Sequence, residues 1–197
     1  MVHELEKMCL NKEFDREKAE QLIQQIDVNQ IFVAESHNYE TVLLERASIW
    51  ANVPMVELLL KNGADPNLVF NEEATLWDLQ YNGDTDEESE DRLKIAQLLL
   101  EYGADPLIDP ENLGESLFDY VLDMVFNDDF GELWKYRSRF FILLIAYGAK
   151  SEACTPRIVG SFDKAKMQQY EFYFVPEGNG RYSGVITDDY GGEIAYI

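Results

Sequence analysis

The 197-residue chain contains few cysteines and histidines, and their scarcity excludes several kinds of site. Cys9 and Cys154 are its only cysteines, too few for a disulfide framework or a thiolate zinc site. The histidines, His3 and His37, have no cysteine or second histidine at metal-ligand spacing. We therefore expect no metal centre, no cofactor and no catalytic cysteine–histidine pair. With no distinctive pair of carboxylates either, we expect a protein that is not an enzyme.

Long apolar runs are also missing. No stretch reaches the roughly 18 apolar residues of a membrane-spanning helix. The first residues, MVHELEKMCLNKEF, are charged throughout and lack the apolar run of a signal peptide. The run Gly178-Asn179-Gly180 falls in a hairpin turn, not between a strand and a helix, so it does not predict a phosphate-binding loop. These absences favour a cytoplasmic protein that does not enter a membrane.

Basic residues are scarce as well: 16 lysines and arginines face 38 acids, for a formal net charge of −22. Such a charge repels nucleic acid and anionic membranes and attracts basic proteins, although acidity also raises solubility. From Asn71 to Trp134 there are 19 acids and only two bases, Arg92 and Lys94. The acidic run 84–91 lacks the glycine and glutamate of a calcium loop, so we expect a solvated loop, with a weak divalent-cation site as the alternative.

One phrase occurs three times in the chain. Its copies are LLLKNGADPN (58–67), LLLEYGADPL (98–107) and LLIAYGAKS (143–151). Apolar residues at helical spacing precede Gly63, Gly103 and Gly148, so we expect each glycine to end a helix in the left-handed conformation. Asp65 and Asp105 each precede a proline, which blocks the helix and starts a turn.

A second phrase lies upstream of each of these helices. Its copies are ETVLLERA (40–47), EATLWDLQ (73–80) and GESLFDYV (114–121). In each copy a hydroxyl residue, Thr41, Thr75 or Ser116, is predicted to cap a short helix. The repeated unit is therefore a cap, a short helix, a loop, a second helix, a glycine stop and an extended turn.

This unit resembles the ankyrin repeat, whose pattern is G-x-T-P-L-x-x-A, then a second helix ending in LL, then GADVN. The residues that carry the resemblance are GADPN (63–67), GADP (103–106) and GESLFDY (114–120), with EFDREKAEQLIQQIDVN (13–29) as a degenerate first copy. The resemblance implies a mainly α fold, an ankyrin-type helical solenoid of about four repeats over residues 1–152. It also implies non-catalytic protein–protein recognition.

The chain departs from the family pattern in two ways. Leu44, Asp78 and Asp119 stand near the place of the family's usual histidine. The glycines are 40 and 45 residues apart, whereas the family period is about 33. The surplus falls between the two helices of the later repeats, at Tyr81–Arg92 and Phe126–Arg137, where we expect long insertions.

Residues 153–197 are predicted to form a different, β-rich extension. YEFYFV (170–175) alternates, Asn179-Gly180 is a hairpin signal, and RYSGVIT (181–187) and residues 193–197 follow as strands. Such a small antiparallel meander needs a surface to pack on, and the end of a solenoid needs a cover, so we expect it to cap the stack. In the alternative, its tyrosines (Tyr170, Tyr173, Tyr182 and Tyr190) belong to a binding surface.

The resemblance also implies where a partner would bind, namely on turn tips and first helices. The expected contact residues are Asn71, Glu72, Glu111 and Asn112 at the tips, Glu45, Leu79 and Tyr120 on first helices, and Trp134 in an insertion. The net negative charge favours a basic protein partner. We expect the chain itself to be a monomer. One alternative is an immunity or inhibitor protein that neutralises a basic nuclease-type toxin by occupying its active site; another is an adaptor that blocks no active site.

Overall fold

A computed structural model describes residues 1–35, 39–70, 73–81, 83–109, 116–127 and 132–149, and three strands between 170 and 196. The helices are α1 (Val2–Cys9), α2 (Arg16–Ile23), α3 (Leu43–Ile49), α4 (Val53–Lys61), α5 (Thr75–Asp78), α6 (Asp86–Glu101), α7 (Leu117–Asn127) and α8 (Glu132–Ala146). The strands are β1 (Phe32–Val33), β2 (Glu40–Thr41), β3 (Val69–Phe70), β4 (Glu73–Ala74), β5 (Tyr170–Gly178), β6 (Arg181–Asp188) and β7 (Glu193–Tyr196). The chain divides into two units, residues 1–79 with 83–104 and residues 80–82 with 105–197.

The first unit consists of helices packed in successive layers. Helix α1 contacts α2 and α3, α3 contacts α4 and α5, and α4 contacts α6. Its core contains fully buried apolar side chains from each layer, including Leu5, Leu43, Met55, Leu59 and Leu99. Burial of these side chains is the main source of the unit's stability. The mainly helical repeat fold predicted from the sequence is confirmed.

The repeated glycines end their helices as the phrase predicts. Gly63, Gly103 and Gly148 have φ angles of 88°, 92° and 98°, in the left-handed region that favours glycine. After α4, the Gly63 amide donates to Leu60 O at 3.1 Å and the next amide donates to Leu59 O at 3.0 Å, the two bonds of a Schellman motif. The same pair of bonds follows α6.

Two of the three predicted hydroxyl caps are wrong. Helix α3 begins after Val42, and α5 begins at Thr75 itself, after Ala74. Thr41 is instead paired with Phe32 in a two-stranded hairpin, so its backbone is extended and the helix starts two residues later. Ser116 is the cap that was predicted correctly, since its Oγ accepts a hydrogen bond from Asp119 N at 3.1 Å.

The insertions are largely helical and not the loops that the spacing suggested. Residues 86–92 form the first turns of α6, and most of the second insertion belongs to α7 and α8. Thr85 caps α6 by accepting from Glu88 N at 3.1 Å, and acids in the first turn of a helix interact favourably with its dipole. The expected acidic loop at 84–91 is therefore a helix start.

Two short hairpins precede helices of the first unit. In hairpin 1, β1 pairs with β2, with Phe32 opposite Thr41 and Val33 opposite Glu40. In hairpin 2, β3 pairs with β4, with Val69 opposite Ala74. Sequence analysis treated these segments as extended turns, because strands of two residues carry no periodic signal.

The second unit combines helices with a three-stranded sheet. Helices α7 and α8 pack together, with the rings of Phe118 and Phe141 stacked at a centroid distance of 5.1 Å. The strands are antiparallel in the order β5-β6-β7, and α8 contacts β6 and β7. The boundary at residue 152 and the role of the strands as a cap remain predictions.

Candidate protein-binding surface

Each hairpin of the first unit has one phenylalanine directed inward and an apolar neighbour directed outward. Phe32 and Phe70 are buried, whereas the residues before them, Ile31 and Val69, are 51 % and 43 % exposed. The exposed apolar side chains of the two hairpins, called the hairpin patch below, are Ile31, Val33, Tyr39 and Val69. Exposed apolar side chains that recur at equivalent positions are candidates for partner contact.

Asparagine side chains link the turns that precede the hairpins to the next repeat. Asn29 Nδ2 donates to Gly63 O at 3.1 Å, and Asn29 Oδ1 accepts from Asp65 N at 2.8 Å. Asn67, at the equivalent position one repeat later, donates to Gly103 O at 2.8 Å. Because each asparagine bonds to the following turn, the hairpins are held at a fixed spacing.

A buried ion pair lies beneath hairpin 1. Glu6 on α1 and Arg46 on α3 are each 2 % exposed, with Arg46 Nε 3.7 Å from Glu6 Oε1. The other carboxylate oxygen of Glu6 accepts from Glu35 N at 3.2 Å, and Arg46 Nη1 donates to the hydroxyl of Tyr39. The Arg46 guanidinium also lies over the Tyr39 ring, 5.7 Å from its centroid.

Two side chains of α1 add to this attachment. His3 Nδ1 lies 3.2 Å from Glu6 Oε2, and the His3 ring meets the ring of Phe32 edge-on at 5.9 Å. Lys7 Nζ pairs with Glu35 Oε2 at 3.0 Å, and its hydrogen bond lowers the pKa of Glu35. Hairpin 1 is thus bound to α1 through Phe32 and Glu35.

Exposed acidic side chains lie on hairpin 1 and, separately, at the start of α6. Glu35 and Glu40 are exposed on hairpin 1, and Asp84, Asp86, Glu87 and Glu90 are exposed at the start of α6. In the part of the chain that the structure describes, no group of three or more His, Cys, Asp or Glu side chains could hold a metal ion.

The contact residues predicted from the sequence do not converge on this surface. Glu45 and Leu79 are buried, and Glu45 accepts a hydrogen bond from Thr41, so neither side chain faces a partner. Tyr120 is half-buried on α7, and Trp134 lies in the first turn of α8, where its side chain is outside the description. Asn71, Glu72, Glu111 and Asn112 lie outside the described residues.

Sequence reasoning missed the hairpin patch, although a signal was present. Ile31 and Val69 each stand two positions after an asparagine that ends a turn phrase, Asn29 and Asn67. An apolar residue at the same offset in two repeats could have been recognised as part of the pattern. Its exposure could not, because that depends on which residue of each hairpin faces the helices.

Comparison with known families agrees with this geometry. The ankyrin repeat family model matches residues 38–71, which run from the end of hairpin 1 through α3, α4 and the Gly63 turn into hairpin 2. The segment is similar to an ankyrin repeat, and the resemblance predicted from the sequence is confirmed. No curated protein sequence matches the chain. Ankyrin repeats generally mediate protein–protein interaction and are typically non-catalytic.

None of the helices that the structure describes is both long enough and apolar enough to cross a membrane.

Proposed function

We propose that this protein is a non-catalytic binding module that holds a basic protein partner on the hairpin patch. The observation that carries the proposal is the recurrence of an exposed apolar residue, Ile31 and then Val69, on successive hairpins fixed by the asparagine bonds. Burying an apolar side chain at the centre of a contact removes its surface from water, which favours association.

Charge supports a basic partner. The exposed carboxylates of Glu35 and Glu40 flank the patch, and the chain carries a formal net charge of −22. Acids around an apolar centre accelerate encounter with a basic surface and disfavour acidic competitors.

The finer architecture is also part of the proposal. We propose about four repeats over residues 1–152, with residues 153–197 packed as a cap on the stack. We also propose that the protein is a monomer. The contacts of α8 with β6 and β7 support a sheet packed on the last helix pair. The tip residues Asn71, Glu72, Glu111 and Asn112, with Tyr120 and Trp134, would extend the surface along the later repeats.

The test is capture of protein partners by the immobilised full chain, compared among three forms. These are the wild type, the double variant Ile31→Ser/Val69→Ser, and the control Trp50→Ser/Tyr102→Ser, whose wild-type side chains are similarly exposed. We expect the hairpin variant to lose at least about tenfold in affinity, since each buried apolar anchor contributes 1 kcal/mol or more. Equal capture by the hairpin variant would contradict the proposal.

A salt series separates the narrower readings. A basic partner should bind more weakly as salt rises, because exposed charges are screened beyond about 8 Å at physiological ionic strength. If the partner is a nuclease that loses activity in the complex, the protein is an inhibitor; an inactive partner, or a nuclease that stays active, indicates an adaptor.

A further inference from the structure

We infer that Glu6 and Arg46 are positioning residues that set the conformation of hairpin 1 and hence the place of Tyr39 within the hairpin patch. The importance of this for binding rests on the proposed function. That Glu6 and Arg46 set the conformation of hairpin 1 follows from the contacts of these two side chains alone.

The two limbs of hairpin 1 are held separately by the two members of the pair. Glu6 accepts from the backbone amide of Glu35 on the outgoing limb, and Arg46 donates to the hydroxyl of Tyr39 on the returning limb. The limbs are joined by the bond from Ala34 N to Tyr39 O at 2.8 Å. One ion pair, contributed by α1 and α3, thus fixes both sides of the hairpin where they approach its tip.

Stability alone is a weak explanation for this pair. Removing two charges from water costs several kcal/mol for each ion, and an apolar pair of similar volume is often equally stable. The attraction here is not completed by a hydrogen bond either, because within the described structure Glu6 Oε1 has none and lies 3.7 Å from Arg46 Nε.

Arg46 also stands at an unexpected position. The pattern T-P-L-x-x-A places alanine five residues after the threonine, and counting from Thr41 that position is Arg46. An alanine at this position would pack in the core and has no side-chain group that needs a hydrogen-bond partner. A long side chain at this position reaches Tyr39 and Glu6 instead, and both contacts lead to hairpin 1.

The side chain that the Glu6–Arg46 pair positions at the surface is Tyr39. The residue is 38 % exposed, and burial of the remainder raises the pKa of its hydroxyl, which the nearby Arg46 charge offsets only in part. The Tyr39 hydroxyl accepts a hydrogen bond from Arg46, which fixes the position of the ring. Tyrosine held in this way is a rigid aromatic anchor.

The experiment measures hydrogen exchange at single backbone amides in the full chain. Each single variant leaves an unpaired buried charge and can fail to fold, so the decisive variant is the double change Glu6→Leu/Arg46→Met, which removes both charges together. The control is Asn52→Ala. Asn52 is equally buried, but its side-chain amide donates to the carbonyl oxygens of Met8, Cys9 and Asn11.

In the double variant we expect exchange of the Glu35 and Ala34 amides to rise about tenfold or more relative to the core amide of Ala64. Glu35 N loses its hydrogen bond to the charged carboxylate of Glu6, and Ala34 N, which donates to Tyr39 O, lies in the hairpin that this bond attaches to α1. In the control, all three amides should change together. If the double variant keeps wild-type protection at Glu35 and Ala34, the inference is overturned. Capture by Ile31→Ser/Val69→Ser tests the proposed function separately, since neither change touches the ion pair.

Discussion

Lys12 and Asp91 form an ion pair with Nζ 2.7 Å from Oδ2, although 79 positions separate them in the chain. Asp91 lies in the part of α6 that was expected to be an inserted loop, and Lys12 follows α1. A second contact joins the same turns of α6 to the end of α3, since Arg92 Nη2 donates to Ile49 O at 3.0 Å. The inserted turns of α6 therefore bind the earlier repeats through the side chains of Asp91 and Arg92.

The first prediction concerns the acid stability of the Lys12–Asp91 ion pair. Burial alone would raise the pKa of Asp91, but hydrogen bonds from Lys12 and Lys94 outweigh it, so the pKa lies below its usual value. A lowered pKa favours folding above the unfolded-state value of about 3.9, and that contribution disappears as pH falls through the folded-state pKa. We expect Asp91→Asn to lose about 1 kcal/mol of unfolding free energy at pH 7.

Urea denaturation at a series of pH values measures this contribution. The difference between wild type and Asp91→Asn should shrink below about pH 4 as the carboxylate becomes protonated. Glu87→Gln, a change at an exposed acid of the same helix, should cost less than about 0.5 kcal/mol. A difference that is independent of pH would show that Asp91 acts without its charge.

The second prediction concerns the asparagine bonds between turns. Asn29→Ala and Asn67→Ala should each lower the unfolding free energy by about 0.5–1.5 kcal/mol, because each change removes solvent-exposed hydrogen bonds between successive turns. Asn11→Ala is the matched control, as its side chain accepts only from Glu13 N nearby among the bonds described. Thermal or urea unfolding gives the comparison, and equal effects at all three positions would count against the bonds as the cause.

The third prediction concerns Cys9, whose thiol is fully buried against Leu43 O, 3.6 Å away. Burial raises its pKa to about 12. Because the thiolate is the reactive form, the folded protein should not react at Cys9 with a disulfide reagent at pH 8, and unfolding should expose it. A Cys154→Ser variant isolates the signal. Immediate reaction in the native state would contradict the burial of α1 against α3.

The fourth prediction concerns the close approach of Gly83 to the start of α6. A methyl group at position 83 would lie 2.3 Å from Glu88 Cβ and 2.9 Å from two backbone atoms. Gly83→Ala should therefore destabilise the protein by about 1–3 kcal/mol through overpacking. At Gly63 an added methyl group meets nothing within 4 Å, so Gly63→Ala should show only the cost of its positive φ, about 1–2 kcal/mol. Circular dichroism on heating measures both, and a neutral Gly83→Ala would show that this loop can move aside.

Features fixed by local sequence were the ones that could be predicted. The glycine stops at Gly63 and Gly103 depend on the helix and the residues just after it, and the structure has them where the phrase places them. The start of α6 also has a local signal, Thr85 followed by Glu88, but the surrounding acids favour a solvated loop when the sequence is considered alone. The predicted helix cap at Thr41 is wrong because Thr41 pairs with Phe32 in a β-hairpin, which keeps its backbone extended.

The candidate surface depends on contacts between distant residues, and these have no signature in one sequence. Glu6 and Arg46 are 40 positions apart, and charged residues are usually expected at the surface. Glu45, predicted to face a partner, is buried because Thr41 binds its carboxylate. The orientation of Ile31 and Val69 follows from the pairing of the hairpins, which periodicity does not reveal.

Site-specific photo-crosslinking can detect a protein partner bound on the hairpin patch. A photoreactive amino acid is placed at Ile31 in one form and at Trp50, an equally exposed position away from the patch, in another. We expect one basic protein to be crosslinked from position 31 and not from position 50, and we expect this crosslink to be lost when Val69→Ser is added. Crosslinking of the same protein from position 50 with none from position 31 would contradict it.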